Sequence, residues 1–189
     1  MSSAIAICSN ALLLLGDSPI SSFDENNDRT RLVANLYEMK RDKVLRLNDW
    51  KCAQKRVILS PDATAPEFEW AYRFALPGDW LRTVFVGATR NTADDYRREG
   101  RWLLMDREVC YLTYTWRNED EGTWDPDLIE AMTQVMVATL AYPITKSTSK
   151  QATEEEIVRD VLKFSRALDS QDDPGESLGD FPLLANRVF

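Results

Sequence analysis

A chain of 189 residues is long enough for one substantial core and too short for two ordinary domains with a linker, so one domain with at most an inserted subdomain is expected. It sets 23 Lys and Arg against 31 Asp and Glu, a net charge of −8 that disfavours gripping a phosphate backbone by counterion release. Histidine is absent, which excludes Ser-His-Asp triads, Cys-His dyads and His-based zinc sites and leaves catalysis only carboxylates, Lys or Tyr.

Ser2 or Ser3 caps a first helix that runs to Leu15. Ile5, Cys8, Leu12 and Leu15 are apolar, as are most residues between them, so this helix is expected to be buried almost all round, as the centre of a bundle or a subunit contact. Gly16 ends it in the left-handed position and Pro19 prevents its resumption. The segment lacks a basic start and a small-x-small cleavage site, and no window reaches the ~20 apolar residues of a membrane span. Synthesis and retention in the cytoplasm is therefore expected.

Ser22-x-x-Glu25 has capping-box spacing and predicts a second helix to about Asn48, with Leu32, Leu36, Val44 and Leu47 on one face. Its other face is basic, with Arg29, Arg31, Lys40, Arg41, Lys43 and Arg46, and is either solvated or mated with an acidic neighbour. Trp50, just past the helix end, is a core anchor where the helix meets the next element.

From Arg56 the period changes. Val57–Leu59, the alternation Trp70-x-Tyr72-x-Phe74-x-Leu76, Thr83–Val86, Trp102–Met105 and Cys110–Trp116 are β-branched and aromatic runs, with Glu99-Gly100-Arg101 and Asp106-Arg107 placed as tight hairpin turns. They predict one small antiparallel sheet whose aromatic face is buried against a helix. The competing use of an aromatic strand, stacking on nucleotide bases, lacks basic flanks. Cys8, Cys52 and Cys110 are scattered among apolar neighbours and read as reduced thiols serving as small core residues.

Asp125-Pro126 opens a third helix, with Leu128, Met132, Val135, Met136, Thr139 and Leu140 at helical spacing, which Pro143 is expected to stop. Thr153-x-x-Glu156 repeats the capping-box spacing for a last helix that begins there or a few residues earlier and ends near Leu168. The acidic stretch from Asp169, with Pro174 and Pro182, is too poor in apolar groups to fold alone. It closes on Leu183, Leu184, Val188 and Phe189, anchors that gain free energy only when buried; with Arg187 they are candidate partner-interface residues expected to become ordered on assembly. Docking on the subunit itself and insertion into a neighbour both fit this pattern.

The fold class expected is mainly α with an inserted β subdomain: residues 1–50 and 125–170 form a discontinuous four-helix bundle, residues 56–117 a small antiparallel sheet, and residues 171–189 an extended C-terminal tail. Gly16, Pro19, Trp50, Trp70, Pro77 and Pro143 punctuate and anchor it.

Several of these stretches occur in a distinctive order. Leu15-Gly16-Asp17-Ser18-Pro19-Ile20 precedes Leu36-Tyr37, Arg41-Asp42-x-Val44-Leu45 and Trp50; then come Trp70-x-Tyr72-x-Phe74-x-Leu76-Pro77-x-Asp79-x-Leu81-Arg82, Glu130-Ala131, Ala138-Thr139-Leu140-Ala141-Tyr142-Pro143-Ile144-Thr145, and Ala167-x-Asp169-x-Gln171-x-x-Pro174 with Arg187 near the terminus. Over most of its length the chain thereby resembles the head-to-tail adaptor (tail tubular protein A) family of short-tailed bacteriophages; residues 87–124 carry no motif of that family. The resemblance implies a structural virion protein at the head–tail junction, made in the host cytoplasm. Its partners would be further copies of itself in a dodecameric ring, the portal protein above and the tail nozzle protein below, with no cofactor and no membrane. Double-stranded DNA would pass through without being specifically bound, and an acidic lumen suits that passage by repelling the backbone.

Two other classes of function are compatible with the residues. One is a small acidic regulatory or chaperone-like binding module whose apolar tail engages a host protein. The other is a carboxylate-based enzyme using Asp94-Asp95 with a magnesium ion, although adjacent residues point apart and no third acid or phosphate loop is spaced to complete the site.

Overall fold

The structure, a computed structural model, describes residues 3–89 and 92–171, with side chains up to Arg166 in the last helix. In chain order the elements are α1 (Ala4–Leu14), α2 (Asp28–Leu47), β1 (Gln54–Leu59), β2 (Tyr72–Ala75), β3 (Trp80–Val86), β4 (Arg97–Glu99), β5 (Trp102–Met105), β6 (Cys110–Trp116), α3 (Pro126–Thr145) and α4 (Thr148–Gln171). The described residues thus form four helices and two small antiparallel sheets, a mixed helix-and-sheet fold.

Ser3 caps α1 by accepting from the Ala6 amide. The helix ends in a Schellman turn: Gly16, at φ +80°, donates to the Leu13 carbonyl, and Asp17 donates to that of Leu12. Burial is one-sided, contrary to the all-round apolar pattern. Ile7, Cys8, Ala11 and Leu12 are buried, while Leu13 and Leu14 are 53% and 58% exposed. The central helix is α3, which packs on α1, α2 and α4 and buries residues from Leu128 to Ala141 on most of its circumference. Its 20 residues are long and apolar enough to match a membrane span, but half of that surface is already buried inside the fold.

The second helix starts later than Ser22-x-x-Glu25 predicts. Asn27 is its cap, accepting from the Thr30 amide at 2.7 Å, and Glu25 instead turns back to accept from the Ser21 and Ser22 amides and the Ser21 hydroxyl. Those bonds, the Ser21 amide foremost, hold the Glu25 carboxyl below its usual range. The capping-box pair therefore closes a separate turn. Ser147, one residue before α4, is the cap there, accepting from the Lys150 amide, so Thr153-x-x-Glu156 lies inside the helix.

The strands form two three-stranded sheets in place of the single one expected, ordered β1-β6-β3 and β2-β5-β4. Phe74, Leu103 and Met105 of one sheet meet Val86, Leu112 and Tyr114 of the other in a shared apolar core, so the alternation from Trp70 to Leu76 buries its aromatic face between sheets. Gly100 at φ +55° opens the two-residue β4–β5 hairpin, as the pattern anticipates. Asp106-Arg107 closes no hairpin: β5 and β6 do not pair, and residues 106–109 carry the chain from one sheet to the other.

Pro143 does not stop α3, which runs on to Thr145. Proline removes one amide from the last turn only, and Ile144 beyond it packs on the helical core. The end is set by Lys146, at φ +57°, whose amide caps the Tyr142 carbonyl at 2.8 Å. The chain beyond Gln171, and with it Leu183, Leu184, Arg187, Val188 and Phe189, lies outside the described residues.

Trp50 is the anchor its position suggests. It is 2% exposed, joins the helical core, and its indole N–H donates to the Val44 carbonyl at 3.0 Å. Trp50→Ala is expected to cost about 3–5 kcal/mol, the range for deleting a large buried aromatic, and Trp50→Phe less, since it keeps most of the packing. Urea denaturation reads both; a loss under about 1 kcal/mol for the alanine variant would place Trp50 outside the core.

Candidate functional site

The anchors singled out in the sequence organise two junctions. In the first, the chain after Gly16 is folded back onto α1: the Ser9 hydroxyl donates to the Ile20 carbonyl and accepts from its amide, and Ile20 is buried. Asp17 meets Arg29 Nε at 2.8 Å, which ties this loop to the first turn of α2. Pro19 itself is exposed and serves as a stop, not as packing. Ser9 carries no sequence signal, because a lone serine in an apolar helix resembles any neutral filler.

The second junction joins the sheets to the helices. Pro77 opens a turn in which its carbonyl accepts from the Trp80 amide at 3.1 Å and from Arg101. Asp79 at that turn accepts from Lys55 Nζ at 2.9 Å and from the Tyr114 hydroxyl at 3.1 Å, while its carbonyl accepts from the Arg117 amide. Burial raises the Asp79 carboxyl, but the bonds from Lys55 and Tyr114 outweigh it and hold the group below its ordinary value. Trp70 is half-buried in the inter-sheet core, with its indole N–H unpartnered among the described residues.

The basic face of α2 divides. Arg41, nearly buried, pairs with Asp42 at 3.1 Å and with Glu119 at 3.0 Å, and Asp42 also accepts from Arg117 Nε at 2.8 Å. Here the helix does mate with acids, one of them on the linker from β6 to α3. In the same linker buried Asn118 donates to the Cys52 carbonyl and Thr123, and the Trp124 indole donates back to the Asn118 carbonyl. Tyr37 donates to Glu121 at 2.9 Å, and burial with that carboxylate pushes its phenol well up. This linker falls in residues 87–124, where no motif marked it; its polar residues are indistinguishable in sequence from a solvated loop.

Among the described residues, neither of the two alternative chemistries weighed above finds an assembled site. Asp94 is buried and pairs with Arg107 Nε at 2.8 Å, while Asp95 is exposed, so the two carboxylates do not converge. Among the described residues no three His, Cys, Asp or Glu gather where a metal ion would be held. The thiols are unpaired, and burial above all pushes Cys8 and Cys52 up to about 12 and Cys110 to about 11, which keeps them protonated and unreactive at neutral pH. The tryptophans at the sheet surfaces already carry cations: Lys55 stands 3.5 Å from the Trp116 ring centre, Arg73 4.4 Å from Trp102 and Arg98 5.4 Å from Trp80. Rings so covered offer little free face for stacking bases.

Exposed apolar side chains occur in both halves: Ile58, Phe68, Val109 and Tyr111 stand on the sheets and their loops, and others lie on the helices. Leu13 and Leu14 of α1 border a shallow depression of about 370 Å³ against Glu130, Thr133 and Gln134 of α3. On α4, Ile157 and Phe164 are exposed, the latter at 66%. These are two different surfaces on helices that both pack on α3, and they are the candidate interfaces. No protein-family model matches the chain, and no curated protein matches it.

The Asp79 junction makes a signed prediction. A carboxyl held below its ordinary 3.8 stabilises the fold fully above that value, and the contribution fades as pH falls through the lower folded value. The stability difference between the wild type and Asp79→Asn should therefore stay constant from pH 7 to about pH 5 and shrink below about pH 4. Urea midpoints across this range measure it; a difference that grows on acidification would contradict it.

Proposed function

We propose that the protein is a structural virion component: one subunit of a head-to-tail adaptor ring, dodecameric in the virion, that joins the portal to the tail nozzle and leaves a channel for the genome. The observation that carries this reading is the pair of dissimilar exposed apolar surfaces, Leu13 and Leu14 on α1 against Ile157 and Phe164 on α4. A closed ring is built from heterologous contacts, in which each subunit presents one surface to the neighbour on its left and a different one to the neighbour on its right. The ordered motifs that resemble the adaptor family support the same assignment.

In this reading the four helices work as a single, mainly α bundle that forms the ring body, and the two sheets project from it towards a partner. An apolar cluster drawing residues from all four helices supports the first half of that picture. The net charge of −8 supports the open channel: an acidic wall repels a passing duplex, so the genome neither binds nor stalls.

Mixed with portal rings of its own phage, the purified protein should shift from a small species to a ring-bound one by light scattering, with added density at the portal's distal end in electron micrographs. A chain that stays monomeric with those portals and is missing from the virions would overturn the proposal. Leu14→Asp and Phe164→Asp change exposed positions and should leave folding stability within about 0.5 kcal/mol while weakening ring attachment about tenfold or more. In a gel shift at physiological salt and low micromolar protein, double-stranded DNA should remain unbound; a tight, sequence-specific complex would contradict the acidic-channel reading.

A further inference from the structure

A cleft of about 460 Å³ lies where α2, α3 and α4 meet. Val44 and Leu47 of α2 and Val158 and Leu162 of α4 line it with apolar surface, while Lys40, Lys43 and Arg159 stand at its edge with one acid, Glu155, which is held by Gln151 at 3.0 Å. Lys40, Lys43 and Arg159 make no ion pair among the described residues, whereas Arg29, Arg41, Arg73, Arg82, Arg107 and Arg117 each have an acidic partner within 3.1 Å. An apolar floor with unneutralised cations at its rim fits a ligand that is apolar and flanked by acids.

The chain itself holds such a segment. After Gln171 come Asp172 and Asp173, the turn-forming pair Pro174-Gly175, then Glu176 and Asp180 leading into Phe181, Leu183 and Leu184. A reversal at Pro174-Gly175 would send the acidic and apolar residues after it back along α4. The reach is sufficient for the near end of the cleft: at 1.5 Å per residue Leu162 lies about 14 Å back from Gln171 along the helix, and the six residues from Glu176 to Phe181 span up to about 20 Å when extended, which covers the short outward step of Asp172 and Asp173 as well. Asp180 would then come within reach of the Arg159 side chain as Phe181 and Leu183 meet the apolar floor near Leu162. Tethering adds a local concentration on the order of millimolar, so even weak complementarity suffices for occupancy.

We infer that the α2–α3–α4 cleft is the docking site of the chain's own C-terminal segment, with Asp180 against the cations Lys40, Lys43 and Arg159 and with Phe181 and Leu183 on the floor. The inference stands independently of the adaptor reading, since it concerns one subunit alone. It also selects between the two destinations that fit the segment's sequence: its own subunit, not a neighbour.

A benzophenone photocrosslinker placed at position 181 of the full-length protein tests it. Irradiation of a dilute sample should link that position to residues 40–47 or 155–162 of the same chain, read by peptide mass spectrometry of the monomer band. Lys43→Glu combined with Arg159→Glu, both at exposed positions, should lower the yield about tenfold, as turning two attractions into repulsions implies, and speed protease cleavage after Phe181, while circular dichroism stays unchanged. Links to other surfaces, links only between chains, no links at all, or a yield indifferent to the charge reversal would overturn the inference.

Discussion

The carboxyl end of α2 leaves its last carbonyls without partners inside the helix, and a residue just past its end and two distant parts of the chain converge to satisfy them. The Trp50 indole takes the Val44 carbonyl, Arg166 of α4 takes that of Leu47, and Arg82 of β3 takes that of Asn48 while pairing with the Asp49 carboxylate. The side chain of buried Asn48 accepts from Arg166 Nε and donates to the Leu162 carbonyl. Two guanidinium groups at the negative end of a helix dipole are well placed electrostatically. Helix, sheet and last helix are oriented by this one point: move α2 by half a turn and the bonds from Arg82 and Arg166 are lost together. Two of the proposed surfaces inherit their geometry from it, because the cleft beside Leu47 and the exposed side of α4 are fixed where Arg166 grips the α2 terminus.

Local chemistry was the part of this architecture legible in sequence. The Ser3 cap, the Gly16 turn, the Asp125-Pro126 start and the Trp50 anchor each depend on a residue type acting within a few positions of itself, and each stands where its pattern places it. The departures share a different cause. Ser22 and Glu25 have the spacing of a capping box but close a turn, because Asn27 offers a competing cap and Asp17 draws Arg29 to the loop. Pro143 is a helix breaker by chemistry, yet α3 runs past it because the packing of Ile144 outweighs one lost amide. Alternation identifies strands without saying which pair, so two sheets read as one, and β4, three exposed charged residues, left no pattern at all.

The candidate surfaces were less legible than the fold for a related reason. A helix apolar on every side does not disclose which side its neighbours leave uncovered, so the exposure of Leu13 and Leu14 became visible only once α3, and not α1, proved to be central. The basic face of α2 was equally ambiguous. It splits into Arg41, neutralised by Glu119 across the linker, and Lys40 and Lys43, which border the cleft beside α4. Charge count alone assigns neither role; it takes the position of an acid 78 residues away in sequence.

The placement of β6 has a mechanical consequence. It is the middle strand of its sheet, antiparallel to β1 on one side and β3 on the other, and it continues directly into the linker that leads to α3. A force that draws the helices away from the sheets therefore acts along the β6 axis, at right angles to its ladder bonds. In that direction the bonds of both ladders resist in parallel and must fail as a group, whereas a strand peeled from an edge gives them up singly. The path through Arg117 and Asn118 is thus, beside residues 48–53 leading into β1, one of two covalent routes by which the halves of the molecule transmit tension to each other.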